Sequence, residues 1–299
     1  MIAVFALAAI VAIVLIFVFI ARQAIPMFWE TDFAQEASLR DLFFAKQWPG
    51  YDHPVFVWQP VGEPEKFNVV PLFVGSLKVT LLAMFMSVPL GIACAIFLAL
   101  YAPRAVREVV KPAIELLAGV PSVVLGFFAL MVIASWAQAT FGFHFRLNAF
   151  VAAIGLALAV VPVIFTIAED AIQSVPQTLQ EAALALGARK YQVALRVVLP
   201  AALPGIAAGV VLGFGRAVGE TMIVLMASGN AAVMELFDFT SSVRTVTATI
   251  AAELGEVAQG DAHWRVLFLL GVMLFAVTFV LNLIGDLIIQ RLHKKLTAS

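Results

Sequence analysis

Residues 181–200 read EAALALGARKYQVALRVVLP, and this stretch decides how the chain is organised. It is rich in alanine and leucine, which favour helix, and it carries three positive charges between two long apolar runs. The residues that define its pattern are the triplet Glu-Ala-Ala at 181–183, Gly187, and the pair Leu-Pro at 199–200. A charged helical loop between apolar runs is typical of a chain that crosses a membrane several times.

The composition places the chain among membrane proteins. Of its 299 residues, 63% are hydrophobic and 12% are charged, and the mean hydropathy is +1.03. A soluble domain carries about 25% charged residues. The net charge of −1 gives no electrostatic reason to expect nucleic acid as a partner. The single cysteine, Cys94, can form no internal disulfide, and the four histidines lack ligand spacing, so no metal site is predicted.

Six apolar runs are long enough to cross a bilayer as helices, which takes about 20 residues each. They predict an all-α polytopic membrane protein with about six transmembrane helices. The predicted spans are 2–20, 71–100, 113–135, 149–168, 205–228 and 265–289.

The positive charges predict the orientation of these spans. Nine Lys and Arg side chains lie in three short segments, 101–112, 169–204 and 291–295, which fall on one side of the membrane. The other side holds seven over a much greater length. Because short cytoplasmic loops are enriched in Lys and Arg, the three segments and both termini are predicted to be cytoplasmic.

The spans divide the chain into four regions. Residues 1–20 lack a positive n-region and a clear cleavage site, which favours a membrane anchor over a signal peptide. Residues 21–70 are polar and aromatic and predict an external segment with too little aliphatic content for a core of its own. Residues 71–290 form the membrane core, which contains the cytoplasmic loop 169–204, and 291–299 form a cytoplasmic tail.

The loop carries the signals of a helical hairpin. Thr178 and Glu181 have the spacing of a capping box after Pro176, which predicts a helix start. Gly187 suits a helix end or a sharp turn, and a second short helix is predicted up to Val198, before Leu199 and Pro200. The small Ala182 and Ala183 leave a slim helix that fits a groove on a partner protein. The alternative is a plain connector in which Glu181 only caps its own helix.

The fifth predicted span contains a charged pair. Arg216 falls near its middle, Glu220 follows one turn later on the same helical face, and Thr221 lies beside it. An Arg at mid-membrane costs at least about 2.5–3.5 kcal/mol, so the pair is predicted to face protein or a water-filled path. Glycines at 205, 209 and 213 predict a thin, closely packed helix.

Two interpretations of the pair stay open on this pattern. The guanidinium of Arg216 matches a tetrahedral oxyanion, and Glu220 would neutralise it when no anion is present. Alternatively, the pair is structural and fixes helix register. Lys78, near the outer end of the second span, is a weaker candidate for the same path, since snorkelling to the interface explains it equally well.

Three stretches together resemble one family. The spacing from Glu181 to Pro200 resembles the coupling loop, called the EAA loop, of ATP-binding-cassette (ABC) importer permeases. With VPSVVLGFFAL (120–130) and GRAVGETMIVLMASGNA (215–231), it resembles the permeases of the bacterial phosphate-specific transport (Pst) system. The stretch 244–279 looks more like the PstC-type subunit than its PstA-type partner. The likeness covers roughly residues 70–290. It implies a type I importer (MetI-like) core in the bacterial inner membrane.

The resemblance also implies partners and roles. They are a PstA-type second permease, two copies of an ATPase that binds ATP and magnesium, and a periplasmic phosphate-binding protein. It implies that Glu181, Ala182, Ala183, Gly187, Leu199 and Pro200 contact the ATPase and that Arg216 and Glu220 serve phosphate passage. The chain has no Gly-x-x-x-x-Gly-Lys motif, so it is predicted to be a transport subunit without an enzyme site or a cofactor of its own.

Three alternatives stay open beside phosphate import. A permease for molybdate, tungstate or sulfate would also use an arginine. An intramembrane enzyme would need a Ser/His/Asp or paired-Asp arrangement, which the spans lack. A channel or an ATPase-independent carrier would not need the coupling loop.

Overall fold

The computed structural model describes residues 2–28, 38–232 and 234–297. Nearly all regular structure in these residues is helical, with one two-stranded antiparallel sheet in which Trp58 pairs with Phe67 and Gln59 with Lys66. The helices and strands are α1 (Ile2–Ala24), α2 (Leu39–Phe43), β1 (Trp58–Gln59), β2 (Lys66–Phe67), α3 (Val70–Ile96), α4 (Arg104–Ala118), α5 (Ser122–Phe128), α6 (Ala134–Phe141), α7 (Ala149–Gln173), α8 (Gln177–Ala185), α9 (Lys190–Val193), α10 (Leu199–Gly219), α11 (Met222–Ala227), α12 (Val246–Glu253) and α13 (Ala262–Thr297).

Single turns of wider, π-type helix join several of these helices. They lie at Phe97–Tyr101 after α3, at Ala129–Ile133 between α5 and α6, and at Ala194–Val198 between α9 and α10. A short 3-10 helix, Ile25–Phe28, follows α1. Longer continuous helices result, and these are the elements that cross the membrane.

Six helical stretches in the described residues are long and apolar enough to span a bilayer, which confirms the predicted number. They are Val4–Phe28, Val70–Tyr101, Ser122–Phe141, Ala149–Gln173, Lys190–Gly219 and Ala262–Leu292. Their order along the chain puts α4 and α8 at one end of the bundle, called here the α8 end. Residues 38–69 and the loop 228–245 lie at the opposite end, called the cap end.

Two of the predicted span boundaries are wrong. The third span was predicted over 113–135, but α4 is a separate amphipathic helix that ends at Ala118, and the span begins after Pro121. The fifth was predicted over 205–228, but its helix begins at Lys190 and ends at Gly219. The first break lies at Pro121, whose backbone is extended (ψ 139°), and the second at Glu220, which is extended without a proline nearby (ψ 132°), although the sequence stays largely apolar across both breaks.

The fourth span, α7, forms the centre of the bundle, because α3 and α10 both pack along it. Glycines on α10 make this contact close, as the sequence predicts. A Cβ added to Gly205 would lie 2.5 Å from Ala171 Cβ, and one on Gly213 would lie 2.7 Å from Ile164 Cγ1. Such distances leave no room for a side chain, so the α7–α10 packing depends on the bare backbone.

Residues 38–69 of the external segment are attached to the bundle at the cap end. Asn68, which is buried, donates from its amide to the carbonyls of Asp41 (2.8 Å) and Phe44 (2.9 Å). Trp58 donates to both carboxylate oxygens of Glu253 at 3.2 Å, and His263 contacts the same carboxylate at 2.9 Å. The segment therefore packs on α12 and the start of α13 instead of forming a core of its own.

Candidate functional site

The EAA stretch forms a helical hairpin at the α8 end. Helix α8 begins after Pro176, which occupies the N-cap position, and no side chain caps the helix. The capping box predicted for Thr178 and Glu181 is therefore wrong, because the proline sets the helix start one residue before the threonine. Glu181 and Ala182 are exposed, so neither side chain is committed to packing within the chain.

Gly187 ends α8 in the way that the sequence predicts. Its φ of +84° is in the left-handed region that favours glycine. The Ala188 amide donates to the Ala183 carbonyl (3.1 Å) and the Gly187 amide donates to the Leu184 carbonyl (2.9 Å). This pair of bonds is a Schellman motif, and it turns the chain sharply into α9.

The helix after the turn continues past the predicted stop. Leu199 and Pro200 were predicted to follow a short helix ending at Val198, but α9, the π-type turn and α10 form one helix from Lys190 to Gly219. The Leu199 amide donates to the Ala194 carbonyl across the wide turn, and Pro200 follows directly after it, at the start of α10. The fifth span is thus joined rigidly to the hairpin.

The hairpin presents apolar side chains outward. Its inner face, which includes Ala183 and Leu199, packs against the core at the end of α7. On its outer face Leu186 is 90% exposed, and four other large side chains are at least 45% exposed. These four are Leu179, Leu184, Tyr191 and Leu195. Several large apolar side chains exposed on one connecting loop are typical of a protein–protein contact.

A buried carboxylate beside the hairpin binds two cationic side chains and one amide. Glu169, near the end of α7, is fully buried. Arg107 Nη2 lies 2.8 Å from its Oε1, and Lys111 Nζ lies 2.6 Å from its Oε2. Gln173 donates to the same carboxylate. Sequence reasoning missed this group, although an acidic residue at the end of an apolar run, facing a short basic loop, was an available signal.

Arg216 occupies a different position from the predicted one. It lies in the last turn of α10, because α10 ends at Gly219 and Glu220 is extended (ψ 132°). The Thr247 hydroxyl donates to the Glu220 carbonyl at 2.9 Å and holds this break open. Arg216 and Glu220 are therefore not one turn apart on a single helix.

The predicted ion pair between Arg216 and Glu220 is accordingly absent from the described structure. Glu220 Oε1 instead accepts a hydrogen bond from the Thr221 amide at 3.2 Å, and the Thr221 hydroxyl donates to the Gly219 carbonyl at 3.4 Å. The Arg216 side chain is exposed and makes no hydrogen bond to the described part of the chain. Its charge lies at the C-terminal end of a helix, where the helix dipole favours a cation.

Lys78 is buried under the loop at the cap end. Its ammonium donates to the carbonyls of Glu235 (2.7 Å) and Asp238 and to the Ser241 hydroxyl (3.1 Å). The three donors of this side chain are therefore used in holding the loop. The hydroxyl and the amide of Thr240 both donate to the Asp238 carboxylate. These hydrogen bonds, and the one from the hydroxyl most of all, hold the pKa of that carboxyl below its ordinary value.

The comparisons with known proteins bear on this arrangement. The sequence profile of the family described as "Binding-protein-dependent transport system inner membrane component" matches residues 87–298, more than half of the chain. The chain belongs to this family. It is a multi-pass membrane protein and a transport component, the permease of an ABC importer.

The permease is similar to curated relatives over most of their length. It is 35% identical over 257 residues to the phosphate transport system permease protein PstC of Mesorhizobium japonicum, covering 80% of this chain and 77% of the relative. It is 30% identical over 303 residues to PstC of Xylella fastidiosa, covering 95% and 89%. It is 35% identical to the probable ABC transporter permease protein YqgH of Bacillus subtilis, covering 76% and 73%.

Solved structures support the predicted MetI-like fold. The inward-facing MetNI methionine ABC transporter matches with a TM-score of 0.60 at 20% identity, covering 75% of the permease and 95% of that chain. A bacterial ABC transporter that imports the acidic polysaccharide alginate matches with a TM-score of 0.57 at 16% identity, covering 74% and 79%. At these identities the likeness shows the fold alone.

Proposed function

We propose that the permease forms half of the translocation path of an ATP-driven inorganic phosphate importer in the bacterial inner membrane. The observation that carries this proposal is Arg216, an exposed guanidinium at the break between α10 and α11 that has no counter-charge in the described chain. An unpaired arginine in a membrane helix is costly unless it meets an anion or a partner protein. Its planar, permanent charge suits a tetrahedral oxyanion.

The similarity to PstC proteins supports phosphate as that anion. A permease for molybdate, tungstate or sulfate is the second candidate, because one arginine does not separate these anions. Glu220 bonds to the Thr221 amide instead of to Arg216, so in this structure it does not supply the counter-charge predicted for it.

The hairpin supports coupling to a separate ATPase. The exposed apolar face around Leu186 fits a groove on the ATPase, two copies of which would bind the ATP and magnesium. A homologous PstA-type permease would complete the path, and a periplasmic phosphate-binding protein would deliver the anion at the cap end. In this orientation the α8 end and both termini are cytoplasmic, in line with the distribution of Lys and Arg.

The continuous helix from Lys190 to Gly219 links the hairpin to the proposed path. A movement of the ATPase against α8 is transmitted through α9 to α10, which carries Arg216 near its far end. Alternating access would follow from such movement, since α10 packs closely on α7 and carries the guanidinium with it.

The test is uptake of labelled phosphate by cells that lack their own phosphate importers and express the permease with its neighbouring operon genes. Arg216→Ala and Arg216→Lys are measured beside the wild type, with assembly checked by co-purification of the ATPase. We expect uptake that resists sulfate and molybdate and is lost in Arg216→Ala. Normal uptake by an assembled Arg216→Ala complex would overturn the path role, and efficient competition by molybdate would overturn the substrate.

A further inference from the structure

The last span, α13, carries polar side chains at every fourth residue of its second half. They are Thr278, Asn282, Asp286 and Gln290, in a helix that is otherwise largely apolar. Residues four apart lie on one side of a helix, so these side chains form a stripe. Polar groups within a membrane span are costly and almost always face protein or water.

The stripe is open in the single chain. Asn282, Asp286 and Gln290 are exposed, and neither the Asn282 amide nor the Asp286 carboxylate makes a hydrogen bond to the described residues. Only Thr278 is satisfied locally, through bonds from its hydroxyl to the carbonyls of the preceding turn. The structure thus leaves two strong hydrogen-bonding groups without partners inside a membrane helix.

The stripe lies beside Arg216. Helices α10 and α13 pack antiparallel, and a Cβ added to Gly285 would lie 2.5 Å from Val211 Cγ1. Four residues along α10, a Cβ added to Gly215 would lie 3.5 Å from Asn282 Oδ1. Asn282 therefore lies next to the residue that precedes Arg216, at the same depth in the bundle.

We propose that Asn282 is a second anion-binding group of the translocation path and that the stripe lines the path from Arg216 towards the α8 end. The inference rests on the proposed function and adds a residue to it. The Asn282 amide supplies two N–H donors for an oxyanion held by the guanidinium. The carboxylate of Asp286, one turn closer to the α8 end, repels an anion that reaches its level and so favours release of the anion from the path.

Cysteine labelling tests the lining directly. The chain has one cysteine, so Cys94→Ala gives a background in which single cysteines are placed at Asn282 and Asp286, with Leu283 and Leu287 as matched controls on the same turns. The two leucines are 50% and 48% exposed in the single chain. The assembled complex, after its phosphate uptake is checked, is treated in membrane vesicles with an anionic, membrane-impermeant thiosulfonate. Only thiols that reach water ionise and react.

We expect the cysteines at 282 and 286 to react at least about tenfold faster than those at 283 and 287, and phosphate to slow the reaction at 282. In uptake assays, Asn282→Ala should lower the maximal rate by about tenfold through the loss of a hydrogen bond to a charged group, while Leu283→Ala should retain it. Equal reactivity at 282 and 283 would overturn the lining, and an unchanged rate in Asn282→Ala would overturn the binding role.

The failures of the two proposals are distinguishable. If Arg216→Ala abolishes uptake but the cysteine at 282 reacts no faster than its neighbour, the inference on Asn282 fails and the proposed function stands. If the wild-type complex imports no phosphate, the proposed function fails. In that case protection of the cysteine at 282 by molybdate or sulfate keeps the anion-binding assignment, and protection by neither overturns it.

Discussion

Removal of the two cations around Glu169 should destabilise the permease more than removal of Glu169 itself. The carboxylate is fully buried, whereas the side chains of Arg107 and Lys111 retain 36% and 27% of their exposure. If Glu169 is removed, the side chains of Arg107 and Lys111 can reorient towards solvent. If both cations are removed, the buried carboxylate of Glu169 stays unpaired and out of contact with water. The cost of breaking the cluster should therefore depend on which charge is left behind.

The expected magnitudes follow from this asymmetry. Removing one partner of a buried ion pair costs about 3–5 kcal/mol, and Glu169→Ala should fall at the low end because both cations can be rehydrated. Arg107→Ala and Lys111→Ala should each cost about 1 kcal/mol, since one cation still pairs with the carboxylate. The double variant should approach about 5 kcal/mol, which exceeds the sum of the single changes.

The assay is a double-mutant cycle on the purified permease in mixed micelles, unfolded by titration with SDS and followed by circular dichroism. Glu169→Gln, which preserves volume and one acceptor oxygen but replaces the other with an N–H donor, is the matched control and should lie between the wild type and Glu169→Ala. A double variant whose loss equals the sum of the two single losses, within about 0.5 kcal/mol, would refute the reasoning.

Three further changes have definite expected outcomes. Gly187→Ala forces a side chain into a φ of +84° and should destabilise the end of α8 by about 1 kcal/mol, which reduces co-purification of the ATPase without lowering the yield of permease. Gly229→Ala would overlap the Ser242 hydroxyl at a φ of +83° and should lower the yield of folded protein, and adding Ser242→Ala should restore part of it. Lys78→Met removes the donor to the Glu235 carbonyl and one of the two donors to the Asp238 carbonyl, and it should make the loop 228–245 several times more sensitive to added protease, whereas Lys66→Met should not.

The sequence was sufficient for the fold class because six long apolar runs and a basic loop pattern leave few alternatives. It was insufficient for the ends of the third and fifth spans, where apolar residues continue across a break. At Gly119–Pro121 the break is a local property of glycine and proline. At Glu220 it depends on a hydrogen bond from Thr247, which lies 27 residues away and is brought close only by the fold.

The residues of the candidate site also differ in how well the sequence predicts them, according to whether they depend on local backbone or on the fold. Gly187 was predicted correctly because a helix C-terminus is a local feature of the backbone. Pairing of Arg216 with Glu220 was predicted from helical spacing and is wrong because the helix ends between them. Glu169 was missed since the sequence does not say which basic residue of the preceding loop reaches it.

The packing of α1 has a consequence for the order in which the protein is made. Ile20 lies against Gly271 of α13, and the rings of Phe17 and Phe275 contact each other at a tilt of 37° with their centroids 4.8 Å apart. Helix α1 therefore packs against a helix that is synthesised much later. At usual synthesis rates the intervening residues 25–261 take roughly 10–50 s, during which α1 stays in lipid without this neighbour. The surface of α1 is apolar, with a mean hydropathy of 3.3, so the helix is stable in lipid during this interval. The contact between α1 and α13 forms only after α13 has been inserted.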